Sequence, residues 1–440
     1  MTKRELEKLV EVQAALIASL QEAIKELKAE LQKYKNSNTP PSANKHLKPN
    51  TRGKRKKSKK KKGAQRGHTG TTRIQDPDRK EVIDAHNCPK CGSQKVEDKK
   101  VHKKIIEEIP EPVEPETVEY EIHEKKCNHC NHCGHSFIPE ECTVPLKGKF
   151  GYNIMVLIVF LKYILRGVLR KIVHFLNVGY RLKITPASVA AIIERVARAA
   201  DQEYEELKKR IKSAARVYVD ETSFSVLGTN YWVWVFRTAN DLLLVIRPSR
   251  GRDVLLEILG EDFSGIVICD CWRAYDFLDK LQRCWSHLLR KAKKVDKSRI
   301  SRNFYKSLKA LFVEIKTYNR KKHSSKNRRK IYESMTLRLN RLVKYYKKYK
   351  ELQEVIVYIG NNLENWFTCI LYENVEPTNN FAEQAIRETV IVRKIIGAFR
   401  SEKGPEDYSI LASLIATWKL REQNICSQLK ETLMKYRQIC

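Results

Sequence analysis

Between Val217 and Asp270 the hydrophobic period of the chain switches from that of helices to that of strands, and the order of those strands limits what it can fold into. VYVDETSF (217–224) reads as a strand, LGTN (227–230) as a tight turn, YWVWVFRTA (231–239) as a second strand and LLLVIRPS (242–249) as a third. RDVLLEILG (252–260) follows as a helix and GIVICD (265–270) as a fourth strand. Three antiparallel strands, a helix and one more strand set the first and fourth strands side by side. The first carries Asp220 and Glu221, and the fourth ends on Asp270. Two carboxylates fifty positions apart are therefore expected to converge.

This is the opening order of an RNase H-like α/β core. A third acid stands in PTNNFAEQAIRETVIVRK (377–394), where Asn379 or Asn380 can cap a helix. Glu383 then falls in its first turn and Arg387 one turn later on the same face. Three carboxylates at one edge repel unless divalent cations neutralise them, and Mg²⁺ (or Mn²⁺) favours hard oxygen donors of this kind. Two ions about 4 Å apart would activate a water or a 3′ hydroxyl and stabilise the leaving oxygen during attack on a phosphodiester. Asp220, Asp270 and Glu383 are thus the candidate catalytic and magnesium-binding residues.

This acidic centre belongs to a chain of formal net charge +33. Residues 45–66 hold twelve Lys or Arg and no acid, among them Lys54, Arg55, Lys56, Lys57, Lys59, Lys60, Lys61 and Lys62. Residues 290–350 hold twenty-three against three acids. Blocks of like charge repel unless a polyanion offsets them, and nucleic acid is the usual one. Arg393 and Lys394 join the expected DNA contacts. The 112 residues between Asp270 and Glu383 exceed what the core needs. Their Lys-, Arg- and Tyr-rich part reads as a helical insertion whose DNA binding should weaken steeply with salt.

Upstream, Val10, Ile17, Ile24 and Leu31 occupy one seam of a heptad repeat and Leu6, Gln13, Leu20, Leu27 and Tyr34 the other. That pattern predicts a parallel coiled coil, and so a homodimer or higher oligomer. Cys88-x2-Cys91 and Cys127-x2-Cys130-x2-Cys133 flank strand-like VEPETVEYEIHEKK, as in a zinc ribbon holding one structural Zn²⁺. The second pair is either Cys127 and Cys130 or Cys130 and Cys133. Further on, Thr185 caps a long helix with Pro186 at its first position, after a short helix and a turn, in the manner of helix-turn-helix. Trp232, Trp234 and Trp272 read as core. Cys269, Cys271 and Cys284 read as small buried cysteines in preference to a second zinc set with His287, which would instead orient the edge of the active site.

The expected fold is multidomain α+β. A coiled coil (1–36) and a basic linker (37–80) precede a zinc ribbon (81–145) and a helical, helix-turn-helix-like region (146–215). The RNase H-like core is split (216–289 and 373–404) by the helical insertion (290–372), and a helical domain (405–440) ends the chain. The longest apolar run, IMVLIVFLKYIL (154–165), is broken by Lys162, which argues against a membrane span. MTKRELEKLV lacks the apolar core of a signal peptide, so the reducing cytoplasm is expected, where paired cysteines bind metal.

VDET (219–222), CDCWRAY (269–275), RCWSHLLR (283–290), PTNNFAEQAIR (377–387) and the Gly63–Gly70 segment G-x-Q-x-G-H-x-G resemble transposases of the insertion-sequence-66 family. The resemblance implies a prokaryotic, nucleoid-associated DDE transposase that binds terminal inverted repeats, cleaves at the ends and transfers the 3′ ends to target DNA. It implies Asp220, Asp270 and Glu383 as the triad, Asn379 and Asn380 as flanking residues, and small accessory proteins as candidate partners. The chain departs from the family at Cys271, where Gly is usual, and at Gln384, where Arg is common. Neither departure removes a carboxylate. The rival readings are a DNA-binding regulator or inactive derivative, and a nuclease of the same fold without strand transfer.

Overall fold

The computed structural model describes residues 144–295 and 298–436 without a break, and residues 13, 16–17, 19–24, 80–82, 86–87, 89–95, 114–123, 125–126 and 136–137 before them. Residues 40–115 form one compact unit; residues 1–39 and 116–440 form the other. In the smaller unit a turn at 89–91 ends on Cys91, which is exposed, and Gly92 follows with φ 73°. Cys88, Cys127, Cys130 and Cys133 lie outside the described residues, as does the basic run 54–62.

In the larger unit, the described residues between 13 and 24 are helical, and Ile17, Leu20 and Ile24 of the expected seams are exposed. The strand expected over 113–126 is mostly absent: residues 114–123 carry no regular structure. Only Lys125–Lys126 pairs, antiparallel, with Ser136–Phe137. Val118, Tyr120 and Ile122 make an apolar alternating face, but all three are exposed, so among the described residues that face has nothing to bury it.

The main sheet has β1 (Arg216–Val226), β2 (Thr229–Arg237), β3 (Leu242–Arg247), β4 (Ile266–Cys269), β5 (Leu281–Arg283) and β6 (Ala398–Phe399). The order is β3-β2-β1-β4-β5, with β6 also on β1. As the sequence leads one to expect, the first three strands are antiparallel neighbours and the fourth lies beside the first. β2 covers β1 from Tyr218 to Val226, whereas the other edge is shared. There β4 pairs in parallel with 216–218 and β6 with 225–226, leaving 219–224 without a strand on that side.

Period-2 alternation splits the sheet between two apolar layers. Val217, Val219, Trp234, Phe236, Val245 and Val267 face one core. It also contains α1 (Tyr152–Val159), α2 (Leu169–Tyr180), α3 (Pro186–Lys212), α4 (Arg252–Leu259) and parts of the last two helices. Thr185 accepts from Ser188 N–H at 3.2 Å and caps α3, with Pro186 next. The buried stripe of α3 runs from Val189 to Ile211, so this helix is built into the sheet's own core.

On the opposite face Tyr218, Ile266 and Ile268 meet a second core made by α5 (Trp285–Lys294), α6 (Arg299–Tyr318), α7 (Ser325–Tyr346) and α8 (Gln353–Gly360). Most Lys and Arg side chains of α6 and α7 are exposed; Arg328 is the exception and donates to Ile370 O at 3.0 Å. A third cluster joins Phe224, Val233 and Leu244 to α10 (Asn380–Ile396) and α11 (Gly404–Leu420), with α9 (Thr368–Leu371) before and α12 (Ile425–Lys435) after them. No helix among the described residues is long and apolar enough to cross a membrane.

Trp285 anchors the second core. It is fully buried, lies against Phe312, Trp366 and Phe367, and its indole N–H donates to Trp366 O at 2.6 Å. Trp285→Ala should destabilise the protein by about 3–5 kcal/mol, read from the denaturant midpoint at unchanged slope.

Candidate active site

Asp220 and Asp270 are brought together by the register of β1 on β4. Val217 is paired with Val267 and Tyr218 with Ile268; carried two residues past the last pair, the same offset leads Asp220 toward Asp270, whose charge acts on it. Backbone amides hold both carboxylates: Glu221 N–H donates to Asp220 Oδ1 at 3.0 Å, and Trp272 N–H to Asp270 Oδ1 at 2.8 Å.

The adjacent acids Asp220 and Glu221 diverge because strand side chains alternate. Glu221 is engaged on both oxygens. Oε1 accepts from Arg250 at 2.9 and 2.7 Å, and Oε2 accepts from the Tyr275 hydroxyl at 2.8 Å. The Arg250 guanidinium is held between the rings of Trp232 and Trp272, 4.5 and 4.3 Å from their centroids. Of the three tryptophans read as core, Trp234 is fully buried and Trp232 packs partly buried against the same core, whereas Trp272 corrects the reading: it is 40% exposed, packs on the arginine, and its N–H donates to Arg250 O.

Glu383 lies in the first turn of α10, and that helix lies along the unpaired stretch of β1. The Asn379 side-chain amide donates to Val219 O at 2.7 Å, and Arg393 donates to Ser223 O. Two carbonyls that no strand pairs on that edge are thus satisfied by side chains of the helix that carries the third acid. Asn379 sits at the N-cap but makes no side-chain cap, since its amide is committed to β1; this corrects the capping role expected of it. Asn380 and Arg387 are exposed, Arg393 is partly buried with its pKa lowered by that burial, and Lys394 is exposed at the far end of the helix. Residues expected from sequence to touch DNA are therefore here divided between surface and scaffold.

His287, in the first turn of α5, presents Nδ1 to Glu383 Oε1 at 3.6 Å, and Arg290 lies 3.8 Å from Oε2. Cys269 and Cys284 are buried, as expected, but Cys269 and Cys271 pack on opposite layers because the strand ends at Cys269. Sequence reasoning missed Arg283. It is fully buried and donates to Asp270 O at 2.6 Å, Cys269 Sγ at 3.3 Å, Asn362 Oδ1 at 2.8 Å and Asp276. It fixes the backbone that bears Asp270, and its one signal in sequence was a lone charge just before Cys284.

Asp220 has a pKa raised to about 7, by burial first and then by the negative charges of Glu221, Asp270 and Glu383. Burial, then Asp270, also raises Glu221, against the lowering effect of Tyr275 and Arg250. No basic side chain pairs with Asp220 or Asp270 among the described residues. The centre therefore offers hard oxygen donors in a field that favours added positive charge, which fits magnesium or manganese.

Residues 147–407, more than half of the chain, match the family model described as the Transposase IS66 family. Residues 2–74 match a family of unknown function, DUF6444. No curated protein matches the chain.

Between about pH 4 and pH 7 the folded chain holds a proton on Asp220 that the unfolded chain, with a pKa of 3.8, has released, so this group lowers stability as pH rises. In chelator, Asp220→Asn should match the parent near pH 4 and exceed it at pH 7.5 by on the order of 2–4 kcal/mol in denaturant unfolding. A gap that does not widen with pH contradicts this electrostatic picture.

Proposed function

The chain belongs to the Transposase IS66 family, and from that premise we propose that Asp220, Asp270 and Glu383 are the DDE triad of an RNase H-like core. The transposase binds the terminal inverted repeats of its element, cleaves at the ends and joins the 3′ ends to target DNA. The observation that carries this reading is that α10, with Glu383 in its first turn, is tied by Asn379 to Val219 O, next to Asp220, on the strand whose parallel neighbour β4 leads into Asp270.

When bound at these carboxylates, two Mg²⁺ or Mn²⁺ ions supply charge neutralisation and activation of the attacking oxygen. The chain's own residues hold the arrangement. Arg283 fixes the Asp270 backbone, Asn379 ties the Glu383 helix to the strand of Asp220, and Arg250 with Tyr275 keeps Glu221 out of the centre. Arg302, Lys306, Lys309 and Lys316 form an exposed stripe along α6, continued past its end by Arg320, suited to successive phosphates. The coiled coil pairs protomers so that two ends react together. The zinc ribbon, the basic linker and the α2–α3 helix-turn-helix recognise end sequences, and accessory proteins of the same element assist.

Asp220→Asn, Asp270→Asn and Glu383→Gln should each lower strand transfer from a precleaved end in Mg²⁺ or Mn²⁺ by at least about a hundredfold, with DNA binding retained. Equal transfer by parent and variants would remove the proposed chemistry. Cleavage of supercoiled donor without any joined product would indicate a nuclease, and binding without cleavage a regulator.

A further inference from the structure

The starts of α5 and α10 converge on a second set of ligand atoms. Cys284 occupies the N-cap position of α5, His287 lies in its first turn, and Glu383 lies in the first turn of α10. The segment leading into α10 is fastened to this point, with Trp285 N–H donating to Pro377 O at 3.0 Å and Asn379 N–H to Cys284 Sγ at 3.2 Å. One ligand atom from each of Cys284, His287 and Glu383 lies within 4.8 Å of the other two, the one such grouping among the described residues. The three acids of the triad do not close that tightly. Ligands spread over two ions need not.

His287 Nδ1 and Glu383 Oε1 are buried atoms without a hydrogen-bond partner, and their 3.6 Å separation is too long to be a hydrogen bond between them. Burying a polar atom without a partner is costly. A cation between them relieves both costs at once. A thiolate, an imidazole and one carboxylate oxygen make a borderline-soft donor set, the kind zinc takes with three protein ligands and an open fourth position. Magnesium, which takes oxygens, is a poor match. Cys269 is not part of this grouping.

We propose that Cys284, His287 and Glu383 bind one zinc-class ion through Glu383 Oε1. Oε2 of the same carboxylate is left to the centre shared with Asp220 and Asp270. The ion clamps the two helix starts together and orients the third acid. This second role of Glu383 rests on the function proposed above; the binding site itself does not.

The test uses Co²⁺ as probe on the full chain, stripped with chelator and titrated while thiolate-to-cobalt charge transfer and the visible bands are recorded. The cysteines at 88, 91, 127, 130 and 133 will also take cobalt, so the difference between variants is the readout. Cys284→Ser and His287→Ala should each lose about one equivalent of bound cobalt and, with it, that ion's share of the thiolate band. Glu383→Gln should weaken that equivalent at least about tenfold while keeping the thiolate band. Asp220→Asn should keep both, which separates this site from the magnesium centre. His287 is partly exposed, so His287→Ala serves as an arm independent of any folding defect in Cys284→Ser. Unchanged stoichiometry in a folded His287→Ala protein overturns the proposal, whatever the transfer assays show.

Discussion

One edge of β1 is shared between two short parallel strands, and the rest of the site follows from the gap they leave. β4 takes residues 216–218 and β6 takes 225–226, so the carbonyls between them have no strand to meet. Unpaired backbone groups at the centre of a packed sheet are costly. α10 meets this demand with side chains, Asn379 at Val219 and Arg393 at Ser223. These two contacts, four residues apart on β1, set the helix parallel to the gap and bring Glu383 to the same end as Asp220. The position of the third acid is thus a consequence of how the sheet edge is closed.

Electrostatics then sorts the acids. A chain of net charge +33 could neutralise every carboxylate it contains, yet it pairs basic groups selectively. Glu221 is held by Arg250 and Tyr275, and Asp276 by Arg283. Asp220 keeps only a backbone amide and rises to about 7 beside its like-charged neighbours. Arg250 and Arg283 are scaffolding cations, enclosed by aromatic faces or by carbonyls, and the exposed positive charge is left to helices such as α6. Segregating the two kinds of positive charge lets an acidic centre persist in a strongly basic protein.

Much of this was legible in the sequence because it depends on period and order. Alternation marked the strands, the strand order implied that β1 and β4 are neighbours, and the fixed offset between 217–218 and 267–268 does the rest. Contacts between residues far apart in sequence were not legible. Asn379 looked like a helix cap because its neighbours fit that pattern, whereas its amide spans 160 positions to reach Val219. Trp272 looked like core because tryptophan usually is, and its partner Arg250 lies 22 positions away. The strand expected over 113–126 has the right alternation at Val118, Tyr120 and Ile122, but all three are exposed, and whether an apolar face finds a partner is not written in its own residues. His287 was legible as a residue near the edge, but not its unpaired nitrogen facing Glu383, which needs two helix starts in space.

The claim at the centre is that three carboxylates share divalent ions at the closed edge of β1. Anomalous scattering from crystals grown with Mn²⁺ and a DNA end measures this directly. Two peaks about 4 Å apart, each within ligand distance of Asp220 and one of them reaching Glu383, is the outcome this account requires. Manganese found elsewhere, or Asp220 left without any ion while DNA occupies the site, would contradict it.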